Sequence, residues 1–129
     1  MLTLFDIYKR NGIVEKTSFS TRELSSFVFP KDADASHRNP NLRKAIFEVF
    51  GGRCVATGAP LSLKNMTIDH VIPRSKGGPD NIFNYALMSS PINNKKGDVL
   101  HPDNAPLLLA STRKRAQEVL RIFKNCKSL

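Results

Sequence analysis

Two short apolar runs, Met66-Thr-Ile-Asp69 and Tyr85-Ala-Leu-Met88, are separated by a stretch that contains Pro73, Gly77-Gly78 and Pro79. Regular structure does not run through two prolines and a pair of adjacent glycines, so residues 73–79 must be loop. The flanking runs carry β-branched and aromatic residues and read as strands. Neighbouring side chains of a strand face opposite ways, so Asp69 and His70 can reach one cavity only where the strand ends. The Pro73 loop supplies that ending.

Helices account for much of the rest. Asn39 can cap a helix that has Pro40 at its first position, with Leu42, Ala45, Ile46, Val49 and Phe50 on one stripe and Gly51-Gly52 as its stop. Leu4, Ile7 and Tyr8 share a helical face, and Ser20-Thr-Arg-Glu23 has the spacing of a capping box just ahead of Leu24, Phe27 and Val28. Residues 30–39 are polar and rich in turn formers, and they read as a linker or exposed loop containing His37. Pro91 can open a short helix through Lys96 that Gly97 ends. Ala116, Val119, Leu120 and Phe123 form the apolar face of a last helix, whose other faces carry Arg113, Lys114, Arg115, Arg121 and Lys124.

Twenty Lys and Arg against eleven Asp and Glu give a net charge of +9 over 129 residues. A chain of this length supports one compact domain, and its excess positive charge favours a polyanionic partner, nucleic acid ahead of an anionic membrane surface. The excess is uneven: +1 over residues 1–40, +3 over 41–94 and +5 over 95–129. No apolar run is long enough to span a membrane and no secretory leader is readable, so the expectation is a cytoplasmic protein without a membrane partner.

The chemistry concentrates in Asp69-His70-Val-Ile-Pro73-Arg74-Ser-Lys76-Gly77-Gly78, then Asn84, then Asn93-Asn-Lys95-Lys96-Gly97. A carboxylate beside a histidine, facing a helix that presents an amide, suits a hard metal ion and a general base. Asp69 and the Asn93 carbonyl are oxygen donors of the kind Mg²⁺ accepts, and His70 can take a proton from water. This arrangement resembles the HNH endonucleases: a strand ending in Asp-His, a proline loop with Gly-Gly, a central Asn and a helix bearing Asn-x-x-Lys-Gly. The separations of 14 residues from His70 to Asn84 and 23 from His70 to Asn93 are similar to those of the HNH domain in RNA-guided CRISPR nucleases.

The resemblance covers roughly residues 40–98. It implies an α+β fold with a ββα-metal core over 39–98, flanked by a helical N-terminal extension (1–38) and a basic C-terminal helix (99–129) packed on the core as one compact domain. It implies a metal-dependent endonuclease or nickase acting on DNA, with RNA also open. Asp69 and Asn93 would hold a divalent metal, Mg²⁺ first, with Mn²⁺ or Ni²⁺ as alternatives. His70 would activate water, and Asn84 would hold the loop that orients it. Spacing favours Asn93 over Asn94 as the ligand. Arg74, Lys76, Lys95 and Lys96 would contact phosphate, and Arg113, Lys114 and Arg115 would lie along the nucleic-acid backbone or simply form a solvated outer face.

The sequence departs from the family at the positions where many members carry two Cys-x-x-Cys pairs on a structural zinc. Here these are Cys54, Thr57, Ser89 and Ile92. One thiolate does not make a closed tetrahedral site, so no structural zinc is expected. Ser89, Ile92, Val55 and Leu87 would fill the region by ordinary packing. A different class of function also fits the charge: a non-catalytic nucleic-acid-binding module that keeps the ββα shape. Oligomeric state is not readable.

Overall fold

A computed structural model describes residues 1–90 and 102–127. The helix expected over Pro91–Lys96, and with it Asn93, Lys95 and Lys96, lies outside the described residues. Among the described residues, four α-helices and two small antiparallel sheets make a mixed α+β fold: β1 (Leu2–Thr3), α1 (Leu4–Arg10), α2 (Thr21–Ser26), β2 (Val28–Phe29), α3 (Pro40–Val49), β3 (Met66–His70), β4 (Tyr85–Ser89) and α4 (Asn104–Lys127). Among the described residues, no helix is long and apolar enough to cross a membrane.

The helix starts follow from their caps. The Asn39 side chain accepts hydrogen bonds from the backbone N–H of Asn41 and Leu42, and Pro40 occupies the first turn. Such a cap contributes about 1 kcal/mol relative to alanine. Ser20 and Glu23 form the expected capping box on α2. A second box, Thr3 with Asp6, starts α1, and the Thr3 backbone N–H first, then its hydroxyl, hold the Asp6 carboxyl below the usual carboxylate range.

The N-terminal segment differs from the expectation in one respect. Phe27 and Val28 do not extend the apolar face of α2, which ends at Ser26. Instead, Val28 pairs with Thr3 and Phe29 with Leu2. The β-branched and aromatic run Phe27-Val28-Phe29 is better served by a strand, which buries both Phe27 and Phe29.

One apolar cluster unites all regions: Leu4, Ile7 and Tyr8 from α1, Leu42 and Ile46 from α3, Ile68 and Leu87 from the hairpin, and Leu109, Val119 and Phe123 from α4. Helix α4 starts well before the apolar face read from the sequence. Ala105, Leu109, Thr112, Ala116, Val119 and Phe123 are buried along it, while Leu120 is only half-buried. That stripe packs on α3 and on the turn Ile82–Asn84 that leads into β4. The hairpin itself pairs Met66 with Ser89 through His70 with Tyr85. The described half of the ββα unit therefore sits on a platform made by α3 and α4.

Candidate active site at the end of the hairpin

Strand β3 stops at His70, and the two residues of interest diverge there. Asp69 is 4% exposed and turned inward, opposite Ala86. His70 lies opposite Tyr85, and their rings meet edge-to-face at 5.1 Å. A cross-strand aromatic contact of this kind limits the imidazole to one orientation.

Asn84 fixes the path of the loop. It is fully buried; its Oδ1 accepts from the Ile72 N–H at 2.9 Å, and its Nδ2 donates to the carbonyls of Ile72 at 3.0 Å and Pro79 at 3.1 Å. One side chain thus ties both ends of the loop to β4. Replacing it with alanine strands three backbone groups in the interior, each costing about 1–3 kcal/mol. Urea unfolding of Asn84→Ala is expected to show a loss of at least about 3 kcal/mol. Asn84→Asp should not rescue it, because a carboxylate cannot donate to two carbonyls.

The loop also carries a residue that the sequence reading passed over. Asp80 Oδ1 lies 2.7 Å from His70 Nε2 and 3.9 Å from Arg74 Nε. The hydrogen bond to His70 comes first, and the positive charge of Arg74 adds to it, in holding the Asp80 carboxyl below the usual carboxylate range. An ionised carboxylate only accepts, so His70 Nε2 carries the proton of that bond, and in the neutral ring Nδ1 is then the acceptor. The only sequence signal was an acid ten residues after a histidine across a glycine loop, which is too common to single out.

His37 is the second addition. The 30–39 segment, expected as a linker or exposed loop, instead carries a 3-10 turn over Lys31–Ala33 with Ala33 buried, and it is stapled to the site. Asn81 Nδ2 donates to the Pro30 carbonyl at 2.7 Å and to Asp34 Oδ1 at 2.9 Å, the Ala35 N–H donates to the Asp80 carbonyl at 3.1 Å, and the Tyr85 hydroxyl donates to the Ala35 carbonyl at 2.5 Å. These bonds bring the His37 ring to 5.0 Å from that of His70. Asn11 Nδ2 also donates to the Lys76 carbonyl at 2.9 Å, so α1 supports the loop from its other side. Residues 1–38 therefore brace the loop that carries Asp80 and contribute a histidine beside His70.

Burial first, then the charges of His70, Arg38 and Arg74, hold the His37 imidazole below its ordinary pKa of 6.5, with Asp80 opposing. The unfolded chain then takes up a proton at higher pH than the folded one, so stability is complete above about 6.5 and declines as pH falls below it. Thermal melts of the wild type are expected to lose more between pH 7 and 5 than those of His37→Gln. Asp80 does not contribute in that window, because its carboxyl stays ionised until well below it.

The basic residues separate into two groups. Arg74 is exposed at the loop, its side chain 66% accessible, and Lys76 is exposed beside it. On α4, the Arg113 guanidinium lies 5.4 Å from the Phe27 ring centre and that of Arg115 lies 5.3 Å from Phe50, while Lys114 is exposed. Arg113 and Arg115 thus cover core aromatics with their planar groups while remaining solvent-accessible.

At the former zinc position, Cys54 is buried. Burial pushes its thiol up, but hydrogen bonds from the Thr57 hydroxyl and from the backbone of Ser89, Thr57 and Ala56 outweigh that and hold it at about 7. Two residues at expected ligand positions thus surround the one cysteine as hydrogen-bonding partners.

Residues 54–100 match the HNH endonuclease family. The HNH segment starts at Cys54, contains the whole hairpin with Asp69, His70, Asp80 and Asn84, and extends past Asn93. It carries Asp69 and His70 at the end of β3 and lacks three of the four zinc cysteines, keeping Cys54. HNH endonucleases are nucleases that use divalent metals, which fits a buried carboxylate next to a hydrogen-bonded histidine. Neither a curated protein nor a solved structure matches the chain.

Proposed function

We propose that the protein is a divalent-metal-dependent endonuclease that hydrolyses phosphodiester bonds in DNA. The observation that carries this reading is the His70–Asp80 pair at the end of β3, in a strand whose preceding residue, Asp69, is a buried carboxylate. Pure binding of nucleic acid has no use for a histidine oriented by a carboxylate.

The chemistry follows from these side chains. Asp80 holds the Nε2 proton, which leaves Nδ1 of His70 as the basic nitrogen. His70 takes a proton from water as the water oxygen bonds to phosphorus, and the bond from phosphorus to the 3′ oxygen breaks. Asp69, with Asn93 as the second ligand, would hold the metal, which supplies positive charge against the phosphate and the departing oxygen. Arg74 and Lys76, exposed on the loop, would pair with neighbouring phosphates and set the backbone against His70. Lys95, Lys96 and Lys114, with Arg113 and Arg115, would add salt-dependent affinity along the duplex.

A plasmid assay tests the reading. Supercoiled DNA incubated with the protein and Mg²⁺ or Mn²⁺ is expected to become nicked or linear, and EDTA is expected to stop the reaction. DNA that is bound but left intact with every divalent ion tried would replace this reading with the non-catalytic module.

A further inference from the structure

A cluster of metal-binding atoms that does not include the Asp69 carboxylate lies at the end of β3. One ring nitrogen each from His37 and His70 and one oxygen of Asp80 all lie within 4.8 Å of one another. His37 comes from the loop ahead of α3, and the other two residues come from the hairpin and its loop. The Nδ1 atom of His37 is buried and has no hydrogen-bond partner among the described residues. A buried polar atom without a partner costs free energy that a ligand would recover.

The donor set selects the metal. Two imidazoles and one carboxylate are the ligands of zinc, cobalt or nickel, whereas Mg²⁺ takes oxygen ligands and keeps its waters. Zinc bonds of 2.0–2.1 Å put tetrahedral ligands roughly 3.3 Å apart. His70 Nε2 and Asp80 Oδ1, at 2.7 Å, need to open slightly, and His37 needs to close in by a side-chain rotation. We propose that His37, His70 Nε2 and Asp80 bind one zinc-type ion, and that this ion switches off His70 as a base. The ion would replace the proton that Nε2 now donates to Asp80. A neutral imidazole bonded to metal through Nε2 carries its proton on Nδ1, so the lone pair that accepts from water is lost. Zinc and magnesium would then act oppositely on neighbouring ligand sets, one blocking the base and the other supporting the reaction. The inhibitory half rests on the nuclease reading; the binding half does not.

Cobalt titration of the full chain provides the test. One Co²⁺ per chain with the intense visible band of a four-coordinate site is expected. The band should disappear in both His37→Ala and His37→Gln, with folding checked by circular dichroism, and should persist in Asp69→Asn. Added Zn²⁺ should move the His70 ring proton from Nε2 to Nδ1, read from the imidazole nitrogen chemical shifts. In Mg²⁺-driven cleavage, Zn²⁺ should inhibit, and His37→Gln should weaken that inhibition by roughly tenfold or more. The proposal is overturned by absence of the band in the wild type, by an undiminished band in His37→Gln, by a ring proton that stays on Nε2, or by Zn²⁺ that supports cleavage through His37. A band that depends on His37, with the proton shifted, in a protein that cuts no DNA would keep the site and sink the nuclease reading instead.

Discussion

His70→Ala is expected to lower the single-turnover rate of DNA cleavage by about a hundred- to ten-thousand-fold, the range that a positioned general base contributes. Affinity for DNA at fixed salt should change little, because the groups expected to bind phosphate lie elsewhere on the loop and on α4. The fold should survive as well, since the Asn84 clamp and the α3–α4 platform do not depend on the imidazole. Asp80→Asn separates orientation from basicity. Its amide keeps the shape but can present an N–H to Nε2, which favours the tautomer with the proton on Nδ1. A loss of roughly ten- to a hundred-fold is expected from that change. Cleavage by His70→Ala at the wild-type rate would remove His70 from the chemistry, and an unaffected Asp80→Asn would reduce the 2.7 Å contact to a surface ion pair.

The parts of this site that were legible in the sequence are those fixed by local chemistry. Pro73, Gly77-Gly78 and Pro79 force a loop, so the end of β3 near His70 could be read from punctuation alone. Asn39-Pro40 and Ser20/Glu23 announce helix starts because capping is settled within four residues. His37 and Asp80 were not legible in the same way. Their position depends on bonds across long separations, from Asn81 to Pro30 and from Tyr85 to Ala35, and no local pattern encodes these. The strand at Val28–Phe29 was missed for a related reason: a two-residue strand exists only because Leu2–Thr3 lies beside it. Arg113 and Arg115 could be seen to be charged, but their contacts with Phe27 and Phe50 required α4 to be docked.

Gly78→Ala is expected to have the largest effect on stability of any single methyl addition in the loop, and it should remove activity with it. A Cβ at Gly78 would lie 1.7 Å from the Ile72 carbonyl oxygen and 2.9 Å from that of Pro73. Both obstacles are backbone, so no side-chain rotation relieves them. The Ile72 carbonyl is also the acceptor for Asn84 Nδ2, and the Gly78 N–H donates to the Pro73 carbonyl at 3.0 Å, so any retreat of the chain breaks the bonds that hold the loop closed. Losing two such buried bonds together with the displaced packing should cost about 3–5 kcal/mol. Gly77→Ala provides the control. Its φ of 87° calls for glycine, but a Cβ there meets only Ile7, at 4.0 Å, so the cost is conformational and amounts to about 1–2 kcal/mol. Chemical denaturation should therefore rank the variants wild type, Gly77→Ala, Gly78→Ala in falling stability. If Gly78→Ala unfolded at the same denaturant concentration as Gly77→Ala, the close approach of residue 78 to the end of β3 would not exist in solution. The orientation of Asp80 against His70, which that approach helps to fix, would then need another cause.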